Sequence, residues 1–301
     1  MPAIASLPVV SPPSSSRRSA RGPSTAFGAP RDFLGNRFVY VVLSSRARGL
    51  SLGVNFNPDR ECNFDCVYCE VDRSGKVPVE ALNVDGMADE LARTLALVRS
   101  GGLADVPAFQ GLPRELLELR QVNLSGDGEP TLAPAFLDAV HAVLHVRARC
   151  SPPFFKVVLI TNATGLDQPQ VAEGIQCLTS GDEVWAKLDG GTQEYLDRVN
   201  RANVPLAKVL ENILALARKR PVVIQSLFPL LDGREPSADD IREYACRLKE
   251  LKDAGASLPL VQIYSASRPA PRSQCSHLPL RSLAHIAQVV RDTTGLRAEV
   301  F

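Results

Sequence analysis

From residue 119 onward, short apolar runs alternate with longer stretches whose apolar residues recur at helical spacing. The runs are 119–126 (LRQVNLSG), 154–161 (FFKVVLIT), 183–189 (EVWAKLD), 221–228 (PVVIQSLF) and 260–266 (LVQIYSA). Each has the length of a strand. The segments 134–148, 169–179, 192–200, 205–219, 237–253 and 279–293 read as helices, and Pro134 and Pro205 stand where a first helical turn accepts proline. Upstream, 37–57 (RFVYVVLSSRARGLSLGVNFN) holds two β-rich runs separated by a polar turn, the second ending near Asn55. A helix near 85–99 places Met87, Leu91, Leu95 and Leu97/Val98 at approximate helical spacing; Asp85 stands at its start and Gly101-Gly102 follow its end. With the strand that ends near Asn55, six strands alternate with helices. Near-continuous apolar runs such as VVLI fit parallel strands covered on both faces. The pattern is one of α/β repeats, and it fits an open doubly wound sheet as well as a closed or partial barrel.

Residues 1–30 stand apart. Ser, Pro and Ala dominate them, Arg17, Arg18 and Arg21 carry the charge, and no acid precedes Asp32. Such a segment buries too little surface to offset its chain entropy, so a disordered tail is expected; acid-poor, Arg- and Ser-rich leaders also resemble organellar transit peptides. Residues 31–301 read as one domain, with a core over about 48–268 and a helical closure over 269–301. At 301 residues and 45% hydrophobic, the chain can fill a barrel-sized core. A net charge of +1 supplies no overall positive field for nucleic acid. Seven cysteines, an odd number, without a secretory signal point to a reducing, cytoplasmic setting, and no apolar run approaches a membrane span.

The densest chemistry is Cys62-Asn63-Phe64-Asp65-Cys66-Val67-Tyr68-Cys69, three cysteines within one short loop. Thiolates are soft ligands that favour zinc and iron–sulfur clusters. Three of them leave one iron of a four-iron cluster uncapped, an open position where chemistry can occur. Two plainer readings compete. Cys66 and Cys69 form a C-x-x-C pair, but no fitting strand leads into a helix there. A structural zinc site needs a fourth ligand, for which His141, His145, Cys150 and Cys275 are available.

In β/α folds the site lies beyond the carboxyl ends of the strands, so polar residues there carry most weight. Ser125-Gly126-Asp127-Gly128-Glu129-Pro130-Thr131 follows one strand: the glycines let backbone approach a ligand, and Glu129 offers a carboxylate to a cation, though an Asp-Gly turn before a helix reads the same way. Thr161 and Asn162 end the next strand as donors to a ribose or carboxylate, or as plain loop starters. Period two puts Lys187 and Asp189 on one face with Leu188 opposite, either holding a ligand or satisfying each other. Gln225 falls in or beside the site and Arg268 at its mouth. Arg46 and Arg48 flank the polar turn, where solvated arginines are common. Cys150, Cys177 and Cys246 read as small hydrophobes on helices, and Cys275 with His277 as a weak second metal pair.

The C-x3-C-x2-C pattern with Tyr68 before its last cysteine resembles the signature of radical S-adenosylmethionine (radical SAM) enzymes. The set SLGVNFNP, CNFDCVYC, LSGDGEPTL, ITNAT and AKLD is similar to the branch containing the wyosine-forming tRNA enzymes and related bacterial iron–sulfur proteins. The match is good over roughly 45–190 and looser beyond. The resemblance implies a partial (β/α)6 barrel with parallel strands. Cys62, Cys66 and Cys69 would hold a [4Fe-4S] cluster whose fourth iron is capped by S-adenosylmethionine. It implies that Gly126, Asp127, Gly128 and Glu129, a variant of a Gly-Gly-Glu-like segment, bind the methionine amine. Lys187, with Asp189 beside it, would hold the carboxylate and ribose, helped by Thr161, Asn162 and Gln225, and Tyr68 would pack near the adenine. It further implies an external electron donor, a flavodoxin or ferredoxin, and a substrate that is RNA, a peptide or, alternatively, a small metabolite; a non-catalytic metal-binding module is the third class. The wyosine-forming enzymes use further cysteines and a pyruvate-binding lysine upstream of the main motif. Here no cysteine precedes Cys62 and the first lysine is Lys76, so the resemblance carries the reaction class and not the substrate.

Overall fold

The computed structural model describes residues 33–71, 73, 81–150, 154–266 and 274–301. The expected tail, 1–30, and Arg268 lie outside the described residues. In chain order the elements are β1 (Val39–Ser44), β2 (Gly49–Asn55), α1 (Val84–Arg99), β3 (Leu119–Ser125), α2 (Phe136–Arg149), β4 (Lys156–Thr161), α3 (Pro169–Gln176), β5 (Glu183–Lys187) and α4 (Gln193–Val199). There follow α5 (Leu206–Ala217), β6 (Val222–Leu227), β7 (Pro229–Leu231), α6 (Ala238–Asp253), β8 (Val261–Tyr264), β9 (Cys275–His277), α7 (Leu280–Thr294) and β10 (Ala298–Val300).

The eight-stranded sheet has the order β1-β2-β3-β4-β5-β6-β8-β10. All six strands expected from the apolar runs pair in parallel and in sequence order. Two flanking strands complete it. β1 pairs antiparallel with β2, and β10 adds a parallel strand on the far side of β8. The C-terminal closure is therefore not wholly helical. α7 is followed by β10, and β7 and β9 form a small antiparallel sheet of their own.

The sheet is curled. Laid flat, β1 and β10 would stand seven strand spacings apart, about 34 Å at the usual ~4.8 Å per step. Yet Arg48, in the turn between β1 and β2, donates to Glu299 of β10 at 3.0 Å. Arg46, in the same turn, lies over the ring of Tyr264 at the end of β8, 4.2 Å from its centre. Only a half-barrel brings the two edges that close.

Curling gives the sheet two distinct faces. Val157, Leu159, Val184, Ala186, Val222 and Ile224 belong to the main core shared with the helices. The alternate positions Val158, Trp185 and Val223 form a separate apolar cluster on the concave face, with Ile160 and Leu260 against it. Period two explains this division, since successive side chains leave opposite faces. It also puts Lys187, Gln225 and Gln262, which are in register across β5, β6 and β8, on the concave face at the strand ends. Among the described residues no helix is long and apolar enough to cross a membrane.

The helix side is pinned by one buried ion pair. Asp182 accepts from Arg147 at 2.6 and 3.1 Å, from the Val157 and Thr179 N–H groups and from the Thr179 hydroxyl. Burial alone would raise this carboxyl, but Arg147 and the other donors hold it below its ordinary value. A depressed carboxyl stabilises the fold above its unfolded value, near ~3.9, and loses that contribution as pH falls through the folded one. Asp182→Ala leaves Arg147 without its partner, so urea melts at pH 7 are expected to show a loss of about 3–5 kcal/mol. That loss should shrink toward pH 3.

Candidate functional site

The cysteine loop leaves β2 and is clamped on two sides. On one side lies the end of α4, whose last carbonyls have no partner within the helix. The Val67 N–H donates to Val199 O at 2.8 Å and the Asp65 N–H to Asn200 O at 3.0 Å. On the other side lies the loop after β3, where the Glu129 N–H donates to Glu61 O at 3.0 Å. Asn57 Nδ2 donates to Glu129 O at 3.2 Å, and Arg73 Nη2 to Asp127 O at 2.9 Å.

Each thiol receives a donor. Phe64 N–H points at Cys62 Sγ (3.4 Å), Asn200 Nδ2 at Cys66 Sγ (3.4 Å) and Arg73 Nη1 at Cys69 Sγ (3.2 Å). The Arg73 charge also acts on Cys62 and Cys66. Burial pushes the Cys62 thiol up to about 12 and the Cys66 thiol up to about 11. Both thiols therefore stay protonated at neutral pH unless a metal cation stabilises the thiolates. Among the described residues no group of three or more His, Cys, Asp or Glu side chains is arranged to hold a metal ion. None of the fourth ligands considered for zinc joins the trio. His141 Nε2 instead contacts Cys177 Sγ at 3.5 Å, and Cys275 lies in β9. Three thiols without a fourth protein ligand suit a multi-iron unit with one open iron better than a structural zinc site.

The Gly126–Glu129 segment sits directly against this loop. A Cβ on Gly128 would fall 1.7 Å from Glu61 O, and one on Gly126 would fall 2.3 Å from Asn57 Oδ1. The glycines thus admit the neighbouring cysteine loop, a different neighbour from the ligand that the sequence reading put there. Asp127 is tied to β2: its N–H donates to Asn55 Oδ1 at 2.9 Å, and Asn55 Nδ2 donates to Asp127 Oδ2 at 3.0 Å. The Glu129 carboxylate is buried. Its Oε1 accepts from the Thr131 N–H (3.1 Å), the Thr131 hydroxyl (2.6 Å) and the Thr161 hydroxyl, and its Oε2 accepts the Asn162 N–H at 2.7 Å. Burial raises this carboxyl above its ordinary value against the pull of those donors. Its field reaches Cys62. Oε2 has one donor, which leaves it a lone pair for a further one. Asn162 also joins the cysteine loop, donating to Asn63 Oδ1 at 2.8 Å.

A second network crosses to the far strands. Asp189 is buried, with Oδ1 accepting the Leu227 N–H at 2.8 Å and standing 3.6 Å from Lys187 Nζ. Its Oδ2 accepts from the Tyr68 hydroxyl and from Asn200 Nδ2, the latter at 2.7 Å. Lys187 Nζ lies 5.0 Å from the Tyr68 ring centre and donates to the Tyr264 hydroxyl at 3.1 Å. Burial alone would lower the Lys187 ammonium, but Asp189 and Tyr264 hold it above the ordinary lysine value. Burial and the Asp189 charge push the Tyr68 hydroxyl well above its ordinary value. Tyr68 thus reaches from the cysteine loop to Asp189, a tie its sequence position did not suggest. Gln225 is buried one strand further on and donates to Gln262 Oε1 at 3.2 Å.

Cys62, Cys66, Cys69, Tyr68, Asp127, Glu129, Asn162, Lys187 and Asp189 therefore belong to one connected patch, with Thr161 beneath it. Gln225 lies deeper. The sequence reading passed over Asn55, Asn57, Arg73, Asn200 and Tyr264. Asn55 and Asn57 stand in the quoted NFNP stretch, whereas Asn200 and Arg73 carry no local signal. The amide oxygens of Asn57 and Asn200 are buried without a hydrogen-bond partner. Unspent acceptors beside three thiols and a carboxylate are what a site built for a charged ligand leaves when described by protein atoms alone.

The radical SAM superfamily model matches residues 56–245, a span that starts just before the cysteine loop and runs into α6. The chain belongs to the radical SAM superfamily. A UPF0026 protein of Synechocystis sp. is 29% identical over 178 residues, covering 58% of this chain and 57% of that protein. This radical SAM chain thus spans little over half the length of that relative. Among solved structures, a radical SAM methyltransferase from Sphaerobacter thermophilus superposes with a TM-score of 0.60 at 14% identity, covering 87% of this chain and 68% of that one. TYW1 with a lysine-pyruvate adduct bound superposes with a TM-score of 0.55 at 14% identity, covering 85% and 84%. SuiB of Streptococcus suis bound to S-adenosylmethionine gives a TM-score of 0.54 at 13% identity, covering 80% and 48%. At such identities these likenesses show a shared radical SAM fold. The cofactors of the family are a [4Fe-4S] cluster and S-adenosylmethionine, and the donor set described above fits both.

Proposed function

We propose that this chain is a radical SAM enzyme in which Cys62, Cys66 and Cys69 hold the [4Fe-4S] cluster, leaving one iron for S-adenosylmethionine. When bound, these groups supply an electron that splits the sulfonium into methionine and a 5′-deoxyadenosyl radical, which takes hydrogen from substrate. The observation that carries the reading is that the Arg73 charge acts on all three thiols while the buried Glu129 carboxylate, tied to the same loop through Glu61 O, acts on Cys62. Glu129 Oε2 accepts the methionine ammonium, while Gly126, Asp127 and Gly128 hold Glu129 against the cysteine loop. Lys187, beside Asp189, Asn162 and Tyr68, offers the positive charge for the carboxylate and the polar edge for the nucleoside. Thr161 orients Glu129, and Gln225 lines the concave face beyond. This chemistry would lie at the strand ends of the curled sheet, where the barrel wall would shield a primary radical from water.

The electron comes from outside, from a flavodoxin or ferredoxin, in keeping with a cytoplasmic, reducing setting for seven free cysteines. Anaerobic reconstitution with iron and sulfide, followed by reduction with S-adenosylmethionine present, is expected to yield 5′-deoxyadenosine. Bound zinc without iron after anaerobic purification would point instead to a non-catalytic metal module. Iron bound without any 5′-deoxyadenosine would overturn the catalytic reading.

A further inference from the structure

Among the described residues, Arg46 is a cation at the concave face that has no ion pair. It comes from the β1–β2 turn and lays its guanidinium 4.2 Å from the ring centre of Tyr264. The Tyr264 hydroxyl, in turn, accepts from Lys187 Nζ at 3.1 Å. Two cations therefore share one tyrosine, and one of them, Lys187, also lies 5.0 Å from the ring of Tyr68 in the cysteine loop. The carboxylate of this network, Asp189, is already occupied by the Leu227 N–H, Asn200, Tyr68 and Lys187. The neighbouring Gln225 and Gln262 are neutral and bond each other. Positive charge at this level is in excess.

The contrast with Arg48 is instructive. Arg48 leaves the same turn and finds Glu299 at 3.0 Å, which suffices to join the sheet edges. Among the described residues Arg46 makes no ion pair, and its Nε is buried without a hydrogen-bond partner. Stacking on a ring uses the face of a guanidinium and leaves its in-plane donors unspent. An unpaired buried donor costs about 1–3 kcal/mol, so a fold that only needed a latch would do better with an apolar side chain here. The fork of a stacked arginine matches the two oxygens of a carboxylate or the edge of a phosphate.

We propose that Arg46, held by Tyr264, is the anchor for an anionic oxygen group, a carboxylate or a phosphate, of the molecule that this enzyme processes. That the anchored molecule is the substrate rests on the radical SAM reading; the anion site itself does not. A charged anchor one tyrosine away from Lys187 would fix one end of a substrate beside the network that reaches the cysteine loop.

The test uses the only tryptophan of the chain, Trp185, two residues before Lys187 on the same face. Its fluorescence is followed while the full chain, anaerobic and free of S-adenosylmethionine, is titrated with inorganic phosphate or with acetate at constant ionic strength held by chloride. Saturable binding of at least one probe is expected, and the tighter of the two identifies the oxyanion. Arg46→Gln should weaken it at least tenfold. Arg46→Lys, which keeps charge but not the fork, should fall between, and Arg48→Gln should leave it unchanged. No saturable binding of either probe, or equal affinity in wild type and Arg46→Gln, overturns the proposal. Thermal melts verify that each variant is folded. Lack of 5′-deoxyadenosine would sink the radical reading without touching this result, and lack of anion binding would leave 5′-deoxyadenosine formation standing.

Discussion

Cys66→Ala is expected to abolish 5′-deoxyadenosine formation while leaving the chain folded. The two halves of this outcome have separate causes. Cys66 Sγ is hydrogen-bonded by Asn200 Nδ2 at 3.4 Å and by Tyr68, and both donors also reach Asp189. Removing the sulfur therefore strands no donor, and a small side chain in a half-buried position costs about 1 kcal/mol. The cluster is another matter. In the proposed site three thiolates would be the whole protein contribution to its irons, and even neighbours that merely orient a ligand typically cost about 10–100-fold in metal affinity or activity when mutated. Loss of one ligand of three should exceed that range, so iron per chain after reconstitution and product should both fall below detection. Asn200→Ala supplies the intermediate case: it removes a donor to Cys66 and should cost within that range. Cys177→Ala, at an exposed position beside His141 on the helical side, should cost nothing. Equal product from wild type and Cys66→Ala would remove Cys66 from the site.

Much of this could be read along the chain, for reasons that differ by element. Runs such as VVLI in β4 must be apolar on both faces, because helices cover one side and the Trp185 cluster the other; the strand order followed directly. β10 and the β7–β9 pair escaped because strands of three residues are too short to show a period. The position of β1 was also hidden, since two β-rich runs and a turn do not say which of them joins the parallel set.

The site divides in the same way. Glu129 was legible as a carboxylate beyond a strand, and Lys187 with Asp189 as a pair on one face. Their partners were not legible, because Thr131, Thr161, Tyr68 and Tyr264 come from four different segments brought together by the curl. Asn200 is the clearest case. It is the cap of a seven-residue helix, and only the packing of that helix end on the cysteine loop gives its amide something to bind.

Gly128→Ala should be the most damaging of the conservative changes, and the reason is steric. The added Cβ would lie 1.7 Å from Glu61 O and 2.6 Å from Glu61 C, atoms of a backbone that cannot swing aside as a side chain can. Gly128 is not among the residues with positive φ, so backbone torsion contributes nothing to the expected effect. To make room, the chain must part the loop after β3 from the cysteine loop, which breaks the 3.0 Å bond from the Glu129 N–H to Glu61 O immediately before Cys62. Overpacking of this kind costs about 1–3 kcal/mol and the lost buried hydrogen bond about 1 kcal/mol more. The consequence for the site is larger than for the fold, because Cys62 and Glu129 move apart. Iron loading and 5′-deoxyadenosine formation should drop at least about tenfold in protein that still melts cooperatively. Two other glycines calibrate the result. At Gly126 the nearest obstacle is the Asn57 side-chain oxygen at 2.3 Å, which can rotate away, so Gly126→Ala should be milder. At Gly111 nothing stands within 4 Å but φ is +75°, so Gly111→Ala should cost about 1–2 kcal/mol from backbone strain alone and leave iron loading intact. If Gly128→Ala and Gly111→Ala lowered stability and iron content alike, the contact between the two loops would not be what positions the cluster ligands.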